Sequence, residues 1–183
     1  MSARGSARLA VLLRAVNVGG TGKLPMADFK AALTGLGYED PKTLGAAGSA
    51  VIGTAAKPAA VEAAIEKALK SRFGLTTEVF VRTHAELAAV LRANPFAEMA
   101  RAKPAGLIVS FLKGDPKPAD VAALREKIVG PEQVEAGPAC LFIAYGAGMG
   151  TSKLTGPIVQ RAIGLSGTGR NWNTVGKLAE LTK

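Results

Sequence analysis

Apolar positions along this chain switch repeatedly between strand-like runs and helical spacing. Arg8–Val16 reads as a first strand. Met26, Phe29, Leu33 and Leu36 then recur at helical spacing, with Pro25 at the start and Gly37 just past the end. Two extended pieces follow, Lys42–Ala46 and Ser49–Thr54, divided by Gly48. A second helix opens at Pro58 and closes at Gly74, carrying Val61, Ile65, Ala68 and Leu69 on one face, and Thr76–Val81 alternates like a strand. The order β-α-β-β-α-β is that of a ferredoxin-like α+β fold. Thr83 and Glu86 then have the spacing of a capping box, so a short helix begins there.

The order nearly repeats. Gly106–Leu112 reads as a strand, and a helix from Pro118 turns Val121, Leu124 and Ile128 inward. Glu132–Glu135 and Cys140–Tyr145 read as a hairpin across Gly137-Pro138, and Ser152–Ile163 as a helix stopped by Gly164. Where a last strand belongs, Ser166–Trp172 is irregular, and a short helix Asn173–Leu181 follows. The expectation is a ferredoxin-like first half over residues 1–93, a linker over 94–104 with two prolines, and a related but incomplete α+β second half over 105–183. No residue-level repeat links the halves.

Composition narrows the class. Hydrophobic residues make up 48% and aromatics 5%, so the core is built mainly of Ala, Val, Leu and Ile. No apolar run reaches the ~18 residues of a membrane span. The apolar run Leu9–Leu13 is too short for a signal peptide and is broken by Arg14. With a single cysteine there is no internal disulfide framework, and a cytoplasmic location is expected. The net charge is +9, and its distribution is uneven. Residues 1–30 carry five basic side chains against one acidic, as do residues 151–183, so each end holds +4 and the middle only +1. Brought together, the ends would form a basic surface that attracts anions. Kept apart, they are a solubilising surface charge.

Three segments could carry chemistry. Arg14 to Lys23, with Asn17, Gly19 and Gly20, runs from a strand end through a glycine loop toward a helix, a design that can aim backbone N–H groups at an anion. It is not a P-loop, which needs glycine where Asn17 stands and Ser or Thr where Leu24 stands. A tight strand-to-helix turn is the competing reading. Gly146 to Lys153 repeats the design, with Ser152 read as an N-cap and Lys153 as a cation in a first helical turn, where cations are disfavoured unless an anion binds. The third segment, Gly167 to Thr174, holds the only tryptophan. There Arg170 and Asn171 offer multi-donor recognition of a carboxylate or phosphate, or a structural salt bridge. Asn173 reads as the cap of the last helix, and Trp172 as a buried ring or a ligand-stacking platform.

Other chemistry lacks its residues. One histidine and one cysteine cannot build a His/Cys metal centre, so no metal and no cofactor is expected. His84, the first helical residue of the capping box, reads as exposed and inert, and Cys140 as buried filler. Phe142 and Tyr145 fall on opposite strand faces and form no stacking platform.

Leu12 to Gly20, Asn94-Pro95-Phe96, Ser152-Lys153-Leu154-Thr155 and Arg170 to Thr174, in this order, resemble the bacterial family catalogued as domain of unknown function 1697. The resemblance spans about Leu9 to Leu181. It implies an α+β fold with a ferredoxin-like part and no established activity. The chain departs from the family in places. Ala46-Ala47-Gly48-Ser49 stands where a Gln-Ser-Gly-Asn turn is usual, Ala15 replaces a glycine, and Gly169 replaces an alanine.

The functional expectation is an anion-binding module for a nucleotide, a phosphorylated metabolite or a nucleic-acid backbone. Its binding residues would be Arg14, Asn17, Gly19, Gly20, Ser152, Lys153, Arg170, Asn171 and Trp172, meeting in a basic cleft between the halves. The alternatives are a metal-free enzyme acting on such a ligand through positioning and electrostatics, and a protein-interaction subunit with a basic face. No membrane partner is expected.

Overall fold

The structure is a computed structural model that describes residues 5–20 and 22–183. Arg4, part of the N-terminal charge, and Thr21, part of the first glycine loop, lie outside the described residues. The chain forms two compact units, one running to Leu87 and including Lys177–Lys183, the other comprising Ala88–Gly176.

In the first unit β1 (Ala7–Leu13), α1 (Met26–Gly35), β2 (Glu39–Leu44), β3 (Ser49–Thr54), α2 (Pro58–Phe73) and β4 (Val79–Thr83) follow in order. The sheet is antiparallel throughout, in the order β2-β3-β1-β4, the ferredoxin-like arrangement. Leu9, Val11 and Leu13 share a core with Phe29 and Leu33 of α1 and Val61, Ile65 and Leu69 of α2. Glu62 and Glu66 of α2 each accept a backbone N–H of β4, from Val81 at 2.9 Å and Val79 at 3.0 Å. These carboxylates occupy donors that would otherwise be open to another strand.

β1 stops at Leu13, short of the expected Val16. Ala15 and Asn17 both have φ of 54°, a left-handed conformation that no strand can include. The capping box is formed, with Thr83 N donating to Glu86 at 2.8 Å and Glu86 N to Thr83 Oγ1 at 3.2 Å, and it opens α3 (His84–Ala93).

In the second unit α4 (Ala97–Ala102) lies within the stretch expected as a linker. Then come β5 (Leu107–Leu112), α5 (Pro118–Glu126), β6 (Gln133–Gly137), β7 (Cys140–Ala144), α6 (Gly156–Ile163), β8 (Gly167–Asn171) and α7 (Trp172–Leu181), whose residues from Lys177 onward belong to the first unit. The strand order β6-β7-β5-β8 matches that of the first unit position for position. The second half is therefore complete, which corrects the expectation of a missing last strand. β8 pairs with β5 from Gly167↔Leu112 to Asn171↔Ile108. Its glycines hid it from any reading of periodicity. A Cβ at Gly167 would lie 2.7 Å from Ser110 Oγ and 3.0 Å from Leu112 Cδ2, and one at Gly169 would lie 3.0 Å from Ile108 Cγ2. Close packing on β5 thus excludes the alternating apolar side chains that would have announced a strand.

Two helix starts also differ from expectation. α6 begins at Gly156, after Met149–Thr151 has formed a single tight turn. Pro157 explains this. It has no N–H to give the carbonyl four residues back, so a helix from Ser152 could not pass through it, whereas the first turn accepts it. α7 begins at Trp172, one residue earlier than expected, with Asn171 as its cap in place of Asn173. The Asn171 side-chain oxygen accepts Thr174 N at 3.0 Å.

His84 is half-buried, not exposed. Its Nδ1 lies 3.0 Å from Ala179 O and 3.3 Å from Thr182 Oγ1. Thr182 Oγ1 lies 2.8 Å from Leu178 O, to which it donates, so its lone pairs are left to accept. His84 therefore carries its proton on Nδ1 and ties the C-terminal segment to the first unit. His84→Asn, whose amide nitrogen falls near Nδ1, should keep slow amide exchange in residues 177–183. His84→Ala should speed that exchange about tenfold, the effect of one hydrogen bond of ~1 kcal/mol and its packing. Equal exchange in the two variants would remove His84 from this role.

Candidate functional site

Each unit places one glycine loop beyond the end of a buried strand. In the first unit the loop runs from Arg14 to Leu24, and Asn17 closes it. The Asn17 side-chain oxygen accepts Leu24 N at 2.8 Å, while its nitrogen donates to Leu24 O and to Ala46 O, each at 2.8 Å. Asn17 N also donates to Gly22 O at 3.0 Å. The side-chain amide of Asn17 thus pairs with both backbone groups of one residue, Leu24, as a strand neighbour would, and spends its remaining proton on the β2–β3 turn. That turn is pressed close. Leu13 N donates to Gly48 O at 2.8 Å, and a Cβ at Gly48 would lie 2.5 Å from Val16 Cγ2 and 2.8 Å from Leu13 Cβ.

Asn17 therefore spends its side-chain amide on the frame of the loop. Arg14 is committed as well: its guanidinium meets Glu78 at 3.2 Å, and Thr77 Oγ1 donates to its carbonyl at 2.6 Å. Gly19 and Gly20 keep the form expected of a backbone binding loop. Both are exposed, both are left-handed at φ of 58° and 75°, and nothing lies within 4 Å of where a Cβ would be. Lys23 stands exposed on the same loop.

In the second unit the loop runs from Gly146 to Lys153. Tyr145 anchors its start, with its N–H on Gly106 O at 2.9 Å and its hydroxyl donating to Leu154 O at 3.2 Å. Ser152 anchors its end, donating to Glu132 and accepting Leu154 N at 3.0 Å. The Ser152 hydrogen bond and Glu132's own N–H hold the Glu132 carboxyl below its ordinary pKa, and burial together with the Glu132 charge pushes the Tyr145 phenol up. Ser152 does not cap α6, and Lys153 stands exposed outside any helical turn. Lys153 therefore meets no helix N-terminus that an anion would have to relieve.

Arg170 lies on β8, 6% exposed. Its Nη1 donates to Thr168 Oγ1 and to Gly169 O, both at 2.8 Å. Burial pushes its pKa down to about 10, so it stays charged at neutral pH. The Asn171 oxygen is spent on its capping bonds to Thr174. Trp172, expected to be largely enclosed, is only half-buried at the start of α7.

The units share a residue-level feature that was missed in the sequence. Arg82 stands on β4 opposite Ala10 as Arg170 stands on β8 opposite Val109. Arg82 is 8% exposed and donates to the preceding carbonyl, Val81 O, at 3.0 Å, as Arg170 does to Gly169 O. Each arginine directly precedes a side-chain-capped helix, at Thr83 and at Asn171. The signal was an arginine one position before the cap and four before the residue that meets it, in Arg82-Thr83-x-x-Glu86 and Arg170-Asn171-x-x-Thr174. Glu132 was missed too, because nothing nearby in sequence announces its bond to Ser152. Among the described residues no group of three or more His, Cys, Asp or Glu gathers as a metal site, and no helix is long and apolar enough to cross a membrane.

A family model described as "Protein of unknown function (DUF1697)" matches residues 7–142. The solved structure of conserved bacterial protein SP0830 from Streptococcus pneumoniae is similar across 97% of this chain and 99% of that one, with a TM-score of 0.74 and 22% sequence identity. At that identity the likeness concerns the fold. No curated protein matches the chain.

Two substitutions check the first loop. Asn17→Ala should cost ~1–3 kcal/mol in chemical denaturation, since it strands partners of a three-bond amide. Ala15→Gly should stabilise by about 0.5–1 kcal/mol, because relief of a left-handed alanine (~1–2 kcal/mol) exceeds the entropy that glycine adds to the unfolded chain. A destabilised Ala15→Gly variant would contradict the loop conformation.

Proposed function

The chain belongs to DUF1697, a family of proteins of unknown function, and we propose that it is an anion-binding module whose ligand is a phosphate-bearing small molecule or a nucleic-acid backbone. The observation that carries this reading is the Asn17-closed loop, which holds the left-handed glycines Gly19 and Gly20 open to solvent beside Lys23. Side-chain-free backbone lets an anion approach the N–H groups closely. The internal bonds of Asn17 fix the loop in advance, so less ordering cost falls on binding. The +4 at each end of the chain supports attraction of an anion at long range. Lys153 supplies an exposed cation to the second glycine loop.

A second reading, a protein-interaction subunit, is supported by exposed apolar side chains on the same loops. Val18 is 50% exposed and Met149 52%.

A thermal-shift and calorimetric screen of inorganic phosphate, nucleotides and short RNA separates these readings. A binding anion should raise stability by ~2.7 kcal/mol at 100 times its dissociation constant. Lys23→Glu should abolish that gain while leaving the unliganded melting temperature unchanged. For a nucleic-acid ligand, affinity should fall steeply and linearly on a log–log plot against salt. No stabilisation by any anion would eliminate the module reading and leave the protein partner.

A further inference from the structure

The second glycine loop is fastened at both ends by side chains, and one fastening has the chemistry of a ligand. Ser152 has a single hydroxyl proton, and it goes to the carboxylate of Glu132. The other end is held by Tyr145, whose hydroxyl bonds Leu154 O at 3.2 Å. Between them Gly146–Thr151 is exposed throughout, with Gly148 at φ of 93° and a single internal side-chain bond from Thr151 Oγ1 to Ala147 O at 3.2 Å. The Glu132 carboxylate that meets Ser152 also lies close to Gly130, where a Cβ would come within 3.0 Å of its oxygens. The carboxylate thus occupies the Ser152 hydroxyl donor, as an oxygen of a bound anion would.

We propose that Glu132 is an internal competitor: its carboxylate latches the Gly146–Lys153 loop through Ser152 and must be displaced before an anion can take that hydroxyl. The inference rests on the anion-binding reading above, applied to the second loop. The carboxylate competes twice, by occupying the donor and by repelling like charge. The groups that bear on its charge are Ser152 and its own N–H, which hold it ionised, and the Tyr145 phenol nearby. Because its pKa lies below the ordinary value, the latch is intact above the ordinary carboxylate range and lost as the pH falls through that lowered pKa.

The test uses the full chain as wild type, Glu132→Ala, Glu132→Gln and Ser152→Ala. Hydrogen exchange is read at Gly146–Lys153, and inorganic phosphate is titrated by NMR. Glu132→Ala and Ser152→Ala should each speed loop exchange about tenfold, the effect of losing one charge-assisted hydrogen bond. Of these two, only Glu132→Ala should also tighten phosphate, again about tenfold. Glu132→Gln, which keeps the shape without the charge, should tighten phosphate by less and serves if the alanine variant fails to fold. Unchanged loop exchange in both alanine variants overturns the latch. Faster exchange with unchanged phosphate affinity overturns the competition and leaves anion binding standing. Faster exchange with no phosphate bound by any variant refutes anion binding at this loop, and the competition with it.

Discussion

The pairing of a doubly flanked, doubly covered central strand is the constraint on which the rest depends. β1 lies between β3 and β4, and Leu9 through Leu13 are at most 3% exposed on either face. β5 lies between β7 and β8 in the same way, with Leu107, Val109, Phe111 and Leu112 at most 1% exposed. So much burial leaves little room for a working polar side chain, since any such group would need a partner in the core; Ser110 of β5 is half-buried, with Gly167 of β8 packed close to its hydroxyl. Chemistry is pushed to the strand ends and into the loops that leave them. Both glycine loops lie there, one after β1 and one after β7.

The same constraint explains the glycines of β8. β5 needs a second neighbour to satisfy its backbone groups, and the neighbour it obtains packs so closely that a Cβ at Gly167 would lie 2.7 Å from Ser110 Oγ and one at Gly169 3.0 Å from Ile108 Cγ2. The strand therefore opens in glycine and threonine, and its penultimate residue, Arg170, turns its guanidinium back on its own strand. The first unit solves the equivalent position with Arg82. Two separate units that bury an arginine immediately before a capped helix are using one local design twice.

The candidate site changes character between sequence and structure. Arg14, Asn17, Ser152, Arg170 and Asn171 were expected to face a ligand, yet each has hydrogen bonds or an ion pair within its own unit. Polar residues suited to gripping a ligand are also those suited to pinning a loop, and residue type alone does not separate the two uses. Gly19, Gly20 and Lys153 remain exposed, and the pinned residues are what hold their loops in shape. Glu132, absent from the expected set, emerges because it meets Ser152 across twenty residues of chain.

The sequence by itself determined the first unit's element order, the capping box at Thr83 and Glu86, the helix stops at Gly74 and Gly164, and the family. All of these rest on local chemistry: side-chain periodicity, proline and glycine placement, and caps that act within a turn. Tertiary structure decided the rest. It made β8 from a segment with no strand pattern, because β5 supplied the partner. It placed the cap of α7 on Asn171 as β8 ran into the helix. It turned Asn17 from a candidate ligand donor into a loop clasp, because Leu24 and Ala46 are neighbours only after the chain has folded.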